Sequence, residues 1–272
     1  MAAFYSATVL GWSVYLLFWL FVVYCVLGVV IETVFCLVRE GIVESRLGLL
    51  YLPLRPMYGV GGVASTLALD RFQQQPVVVF LGGMLICSVV EYVAGSICDK
   101  AFGTLSWDYR SKLLHLHGKI CLQYSCCWGL LAGLAVYVFN PLISGSVSRL
   151  DPTIGQPVLT ALLSLALASG VLTTAAWVRT RNRLGVLRAQ AEGRAVTVRE
   201  TVAGRLIDRL VPDLLMINTF PRTRLAIELM ALTGRQRSWI RWPRPYGLRP
   251  RPAIDPEGTA AAESATSLML IE

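Results

Sequence analysis

The sequence predicts an all-α fold: a polytopic membrane bundle of about five transmembrane helices with a basic amphipathic cytoplasmic tail. Three observations carry the prediction. Of 272 residues, 55% are hydrophobic and only 15% are charged, well below the quarter typical of soluble domains. The apolar residues are gathered into stretches near the 20 residues needed to cross hydrocarbon. The charge is collected at one end: 16 of the 25 basic residues are arginines from Arg179 onward.

Five segments match a spanning window: about 14–38, 49–69, 77–98, 118–143 and 158–178. Trp12, Tyr15 and Trp19 open the first as an interfacial aromatic belt. The second is interrupted by Pro53, Arg55, Pro56 and the glycines Gly59, Gly61 and Gly62. Each proline removes a backbone donor, and irregular backbone at membrane depth must be covered by protein or water. The expectation is a kinked or broken helix. The fourth carries Cys121, Ser125, Gly129 and Gly133 at spacings of four, a ridge that lets another helix approach, within the bundle or across a dimer. Pro141 marks its expected end.

A basic block after the last span places the tail in the cytoplasm. Five spans then put the N-terminus outside. Internal loops carry Arg39, Arg46, Lys100, Arg110 and Lys112, external ones only Arg71 and Arg149, in agreement with the positive-inside rule. The predicted location is the cell membrane, multi-pass. The predicted organisation is a transmembrane domain over 1–178, a basic amphipathic region over 179–249 and a disordered tail over 250–272. In the tail, Val198, Val202, Leu206, Leu210 and Leu214 recur every four residues with arginines on other faces, a helix suited to a membrane surface or a partner. Pro212 should kink or end it. Trp239 and Trp242 among arginines suggest a second interfacial contact.

Polar residues inside the spans are the pointers to chemistry, because ionised groups in hydrocarbon are rare and face a partner or a wet cavity. At 1.5 Å per residue, Glu32 lies roughly 10 Å, Glu91 about 12 Å and Arg55 roughly 13 Å from the cytoplasmic face. With Tyr58 and Gln123 they form the candidate intramembrane polar cluster, Arg55 neutralising one or both glutamates. A structural ion pair between helices is the plainer alternative. Trp107, Asp108, Tyr109 and Lys119 mark the long internal loop as a partner or interface loop, either a short interfacial helix or an anchor at the headgroups.

Several classes are disfavoured. There is no phosphate-binding Gly-rich loop with its lysine, so the chain is not its own ATPase, and the commonest hydrolase motifs are missing. No catalytic residue is assigned and the reading leans away from an enzyme. His115, His117 and Cys121 make a poor metal site, the seven cysteines include no Cys-x-x-Cys, and no metal or cofactor is expected. The arginines lack any accompanying nucleic-acid signature.

Three blocks resemble a known family. Tyr24 through Glu32 is similar to the opening motif of the type IV ABC-transporter permeases. Gly48-Leu49-Leu50-Tyr51-Leu52-Pro53-Leu54-Arg55-Pro56-Met57-Tyr58-Gly59 resembles a second motif, with Leu52 where glycine is usual. The third comprises Glu91-Tyr92, Gly95, Phe102-Gly103, Trp107-Asp108-Tyr109, Gly118-Lys119-Ile120, Ser125 and Trp128-Gly129. Asp213 to Met216 and Phe220-Pro221 resemble the family's tail. The arginine of the first internal loop is shifted by one position, and His115 replaces a usual asparagine. The resemblance implies a permease-like transport component energised by a separate ATPase subunit, with membrane lipids and a homodimer as further partners. A non-transporting scaffold or lipid-interacting module is the alternative.

Overall fold

The structure, a computed structural model, describes residues 5–104, 106–194, 202–234 and 240–241. It is an all-α bundle. A two-residue hairpin, β1 (Thr8–Val9) and β2 (Trp12–Ser13), leads into α1 (Val14–Glu40), whose first turn is capped by the Ser13 hydroxyl accepting from the Leu16 N–H at 3.2 Å. Then come β3 (Ile42–Val43), α2 (Pro56–Leu69) and α3 (Pro76–Ile97), which widens into a π turn over Cys98–Phe102. A hairpin of β4 (His115–Leu116) and β5 (Ile120–Cys121) precedes α4 (Leu122–Leu134). A π turn (Ala135–Phe139) joins α4 to α5 (Asn140–Val147). The 40-residue α6 (Pro152–Ala191) follows, then α7 (Val202–Leu210), α8 (Asp213–Thr219) and α9 (Arg224–Thr233). The last strand, β6 (Ile240–Arg241), pairs antiparallel with β3.

Four helical stretches are long and apolar enough to cross a membrane: Val14–Glu40, Pro76–Phe102, Leu122–Val147 and Pro152–Ala191. The expected second span is different. Its helix covers only 14 residues, Pro56–Leu69, about 21 Å, because Pro53 and Pro56 stop helical backbone from extending toward Leu49. Pro56 instead occupies the first turn of α2, where its missing N–H costs nothing. The fourth span also differs from expectation. Pro141 does not end it: the π turn just before resets the hydrogen-bond ladder, and Pro141 becomes the first turn of α5.

Close approach of α2 to α1 depends on missing side chains. A Cβ on Gly28 would lie 2.4 Å from the Tyr58 ring, and one on Gly62 would lie 2.3 Å from Tyr24. Both distances are far inside van der Waals contact. The small-residue ridge of α4 is used inside the bundle. Ser125 accepts from Ser88 of α3 at 2.7 Å, and Gly129 packs on Phe80. Gly133 has nothing within 4 Å.

Between β3 and α2 the chain is irregular yet reaches deep into the bundle. The Arg55 N–H donates to the carbonyl of Cys25, in the middle of α1, at 3.0 Å. Leu50 is fully buried, and two α6 hydroxyls complete its backbone. Its N–H donates to Thr173 at 2.9 Å, and its carbonyl accepts from Ser169. Gly48 and Leu54 close a further turn, N–H to carbonyl at 2.9 Å. Polar backbone away from water must be paired, and here side chains of α6 do what a helix would do for itself.

Beyond the apolar stretch, the last turns of α6 carry α7 to α9. Ala176 packs with Leu50, Val211, Met216 and Phe220, and Leu184 with Ile217, Leu225 and Leu229. Arg179 donates to both oxygens of Asp208 at 3.0 and 2.5 Å, Arg183 to Asp213 at 2.8 Å, and Arg188 to Glu228. The expected tail helix is seen over Val202–Leu210 and stops before Pro212. Its docking uses Val211 and residues of α8 and α9, so the stripe of Leu206, Leu210 and Leu214 stays half exposed. Val198, Trp239, Trp242 and 250–272 lie outside the described residues.

Two predictions follow from this packing. Ser169→Ala with Thr173→Ala strands the Leu50 backbone, at about 1–3 kcal/mol per lost partner. Thermal unfolding in detergent should show a clear drop in melting temperature, and an unchanged midpoint would contradict the pairing. The Arg179 hydrogen bond holds the Asp208 carboxyl below its usual range. Its contribution to tail docking is therefore full above the ordinary carboxylate value of about 4 and lost as pH falls through the lowered one. Protease protection of the tail should hold from neutrality to about pH 4 and decline below it, whereas flat protection to lower pH would count against the pair.

Candidate functional site

Glu32 lies two turns before the end of α1, on the side that faces the irregular segment. Its Oε1 is 2.6 Å from Nε of Arg55, with both side chains largely buried. Arg55 also donates through Nη1 to the Arg46 carbonyl at 3.1 Å. Starting α2 at Pro56 leaves Arg55 in extended backbone, where it reaches across to α1. In the first turn of α2, Tyr58 lies beside Glu32. Tyr58 leans on Trp128 of α4, ring centroids 4.9 Å apart.

Trp128 leads to the second carboxylate. Its Nε1–H donates to Oε2 of Glu91 at 2.9 Å, and the Tyr109 hydroxyl donates to Oε1 at 3.0 Å. Glu91 is only 2% exposed. Tyr109 reaches it from the loop and stacks on Tyr124, centroids 4.8 Å apart, whose hydroxyl accepts from Arg39 at 2.8 Å. The two glutamates are thus joined through Tyr58 and Trp128 into one polar centre at the junction of α1, α2, α3 and α4.

The structure brings together Glu32, Arg55, Tyr58 and Glu91. It leaves out Gln123, which is exposed on the outer face of the first turn of α4. Shared depth placed Gln123 in the cluster, but rotation about the helix axis turns it away. In the loop, Trp107 donates to the Lys119 carbonyl at 2.8 Å, and Lys119 is buried with its ammonium 3.2 Å from Asp99. Asp108 is exposed and accepts from the Arg110 N–H at 3.0 Å. This loop is a hairpin and not a helix among its described residues. Tyr109 belongs to the glutamate centre and not to the surface. His115 and His117 border an open groove of about 440 Å³ with Tyr92, Asp99, Arg110 and Lys119, while Cys121, paired across the hairpin from His115, is buried.

Two polar groups escaped sequence reasoning. Asn140, 1% exposed, accepts from Tyr24 at 2.6 Å and Thr66 at 3.1 Å. At the end of α1, Cys36, Glu40 and Glu44 place donor atoms within 4.8 Å of one another, a set that by type and spacing suits a metal ion. Arg222 of the tail, however, bonds both carboxylates, and Arg46 is 3.0 Å from Glu44. Two guanidiniums already supply the positive charge that a metal would bring. No sequence spacing links Arg222 to residues 178 and 182 positions earlier. For Trp128 a signal did exist, since a buried indole N–H in an apolar helix needs an acceptor.

A family model described as "Putative ABC-transporter type IV" matches residues 19–174, more than half of the chain. The chain belongs to that family. The match runs from α1 into α6 and contains every residue of the glutamate centre. It ends before the tail positions, Asp213 to Pro221, that resemble the family by sequence. No curated protein and no solved structure matches the chain. With four apolar helices of spanning length and a transporter family, this is a membrane protein.

Removing Arg55 alone strands a largely buried carboxylate, which costs about 3–5 kcal/mol. Arg55→Gln should therefore be strongly destabilised in detergent, and adding Glu32→Gln should recover much of the loss. Additive effects in that cycle would show the pair is not coupled.

Proposed function

We propose that this protein is the permease-like membrane subunit of a transport system driven by a separate ATPase, with Glu32, Arg55, Tyr58 and Glu91 as the intramembrane site that meets the cargo. The single observation that carries this is the broken entry to α2, which sets the Arg55 guanidinium against Glu32 within the apolar bundle, with the contact of Tyr58 and Trp128 leading on to the buried Glu91. Interrupted helices of this kind build binding sites in transporters because they free polar groups at depth. Residues 1–178 are then the membrane part, 179–249 a basic region on the cytoplasmic side and 250–272 a terminal extension. The positive-inside bias supports a cytoplasmic tail and an external N-terminus.

The ATPase contact in this reading is the loop bearing Trp107, Asp108 and Lys119, beside the docked tail. Four spanning helices and the short α2 enclose little space, so a second copy of the chain completes the pathway. The half-exposed stripe of Leu206, Leu210 and Leu214, with Arg205 and Arg209 exposed beside it, also favours contact with anionic lipid. A scaffold or lipid module would use that stripe without needing the glutamates.

Gentle purification from native membranes should recover an ATPase with the full chain. Glu32→Gln and Glu91→Gln should each lower cargo-stimulated ATP hydrolysis at least tenfold while the complex still forms. No associated ATPase, or full stimulation with both glutamates neutralised, would leave the scaffold reading in place.

A further inference from the structure

The charges of the intramembrane centre do not balance. Arg55 offsets Glu32, yet among the described residues no ammonium or guanidinium nitrogen pairs with Glu91. An isolated carboxylate that is 2% exposed among apolar helices is costly, and the ordinary remedy is to bind a proton. Every neighbouring element is accounted for. Facing Glu91 are Glu32 from α1, Arg55 and Tyr58 from the head of α2, and Tyr109 from the loop. Cys87 lies one turn back on α3, and α4 presents Trp128, with Tyr124 behind Tyr109.

We propose that Glu91 is a proton-binding site, neutralised on Oε1 and read by the hydroxyl of Tyr109. The position of the proton follows from what each partner can do. An indole N–H only donates, so Oε2, which faces Trp128, stays an acceptor in either state. A phenol both donates and accepts, so Oε1 is the oxygen that can take the proton. When it does, one proton passes from water at the loop side to Oε1. The Tyr109 hydroxyl keeps its own hydrogen, turns it away, and accepts from the new acid. No other bond forms or breaks.

The consequence reaches the surface. Tyr109 sits in the same short run as Trp107 and Asp108, and its N–H donates to the Gly118 carbonyl at 2.8 Å. The run packs closely on the hairpin at Gly118, where a Cβ would lie 2.7 Å from the Asp108 carboxylate. A change in the sense of the Tyr109 hydrogen bond is therefore passed to the hairpin that carries Lys119. The inference rests on the reading of this centre as a functional site and gives it a ligand, the proton.

Infrared difference spectroscopy on the full chain in lipid nanodiscs, between acid and alkaline pH, tests it. The expected result is a protonated-carboxyl stretch that vanishes in Glu91→Gln and shifts in Tyr109→Phe. A Glu91→Gln spectrum that superimposes on the wild type would overturn the proposal. Should that variant fail to fold, Tyr109→Phe decides, and an unshifted band would contradict the role of Oε1. These bands do not depend on an ATPase, so their absence and the absence of an ATPase partner are separate failures.

Discussion

The constraint on which this protein turns is the cost of polar backbone away from water. The irregular run between β3 and α2 enters the bundle far enough for Arg55 to bond the carbonyl of Cys25. Such a run survives in an apolar setting only if its donors and acceptors find partners. The hydroxyls of Ser169 and Thr173 supply two of these at Leu50, and they come from α6, more than a hundred residues later in the chain. That bracing fixes the start of α2. The start of α2 in turn fixes Arg55 against Glu32, and the close glycine contacts hold the two helices at that register.

The same α6 continues beyond the apolar stretch and joins the two ends of the chain. Its later turns carry the C-terminal helices, whose Val211, Met216 and Phe220 pack on the same Leu50. The residue that closes the irregular run within the bundle is therefore also the floor on which the tail rests. Arg222 adds a second tie, binding Glu40 and Glu44 at the end of α1. A disturbance of the tail has a short physical route to the intramembrane pair. That route runs from the contacts of Leu50 with Val211 and Phe220 along five residues of the irregular run to Arg55.

Much of this was legible in the sequence, and the limits have physical causes. Long apolar runs separated by charge gave the bundle, because burial in hydrocarbon leaves an unmistakable composition. Depth counting set Glu32 and Glu91 at one level because both lie on continuous helices, whereas the depth of Arg55 was counted along a helix that the irregular run before α2 does not form. The same counting misplaced Gln123, because depth says nothing about rotation around a helix. Prolines announced a break in the second segment but not its form. Pro53 and Pro56 convert seven residues of expected helix into a tucked loop, which depends on Ser169 and Thr173 being opposite. Pro141 misled for the converse reason, as a π turn ahead of it absorbed the lost hydrogen bond. Tyr109 was assigned to the surface because its neighbours Trp107 and Asp108 are interfacial, while its own partner, Glu91, lies 18 residues earlier on α3. Long-range ties such as Arg222 to Glu40 leave no trace in local pattern.

The most direct test of the account is whether the irregular run really lies against α6. In a background lacking native cysteines, cysteines placed at positions 50 and 173 should crosslink readily in native membranes with a short bifunctional reagent. A control pair at positions 51 and 173 should react far less, since Tyr51 points outward. Efficient crosslinking at 50 and 173 is the predicted result. No crosslink there, with reagent reaching both cysteines singly, would contradict the tucked segment.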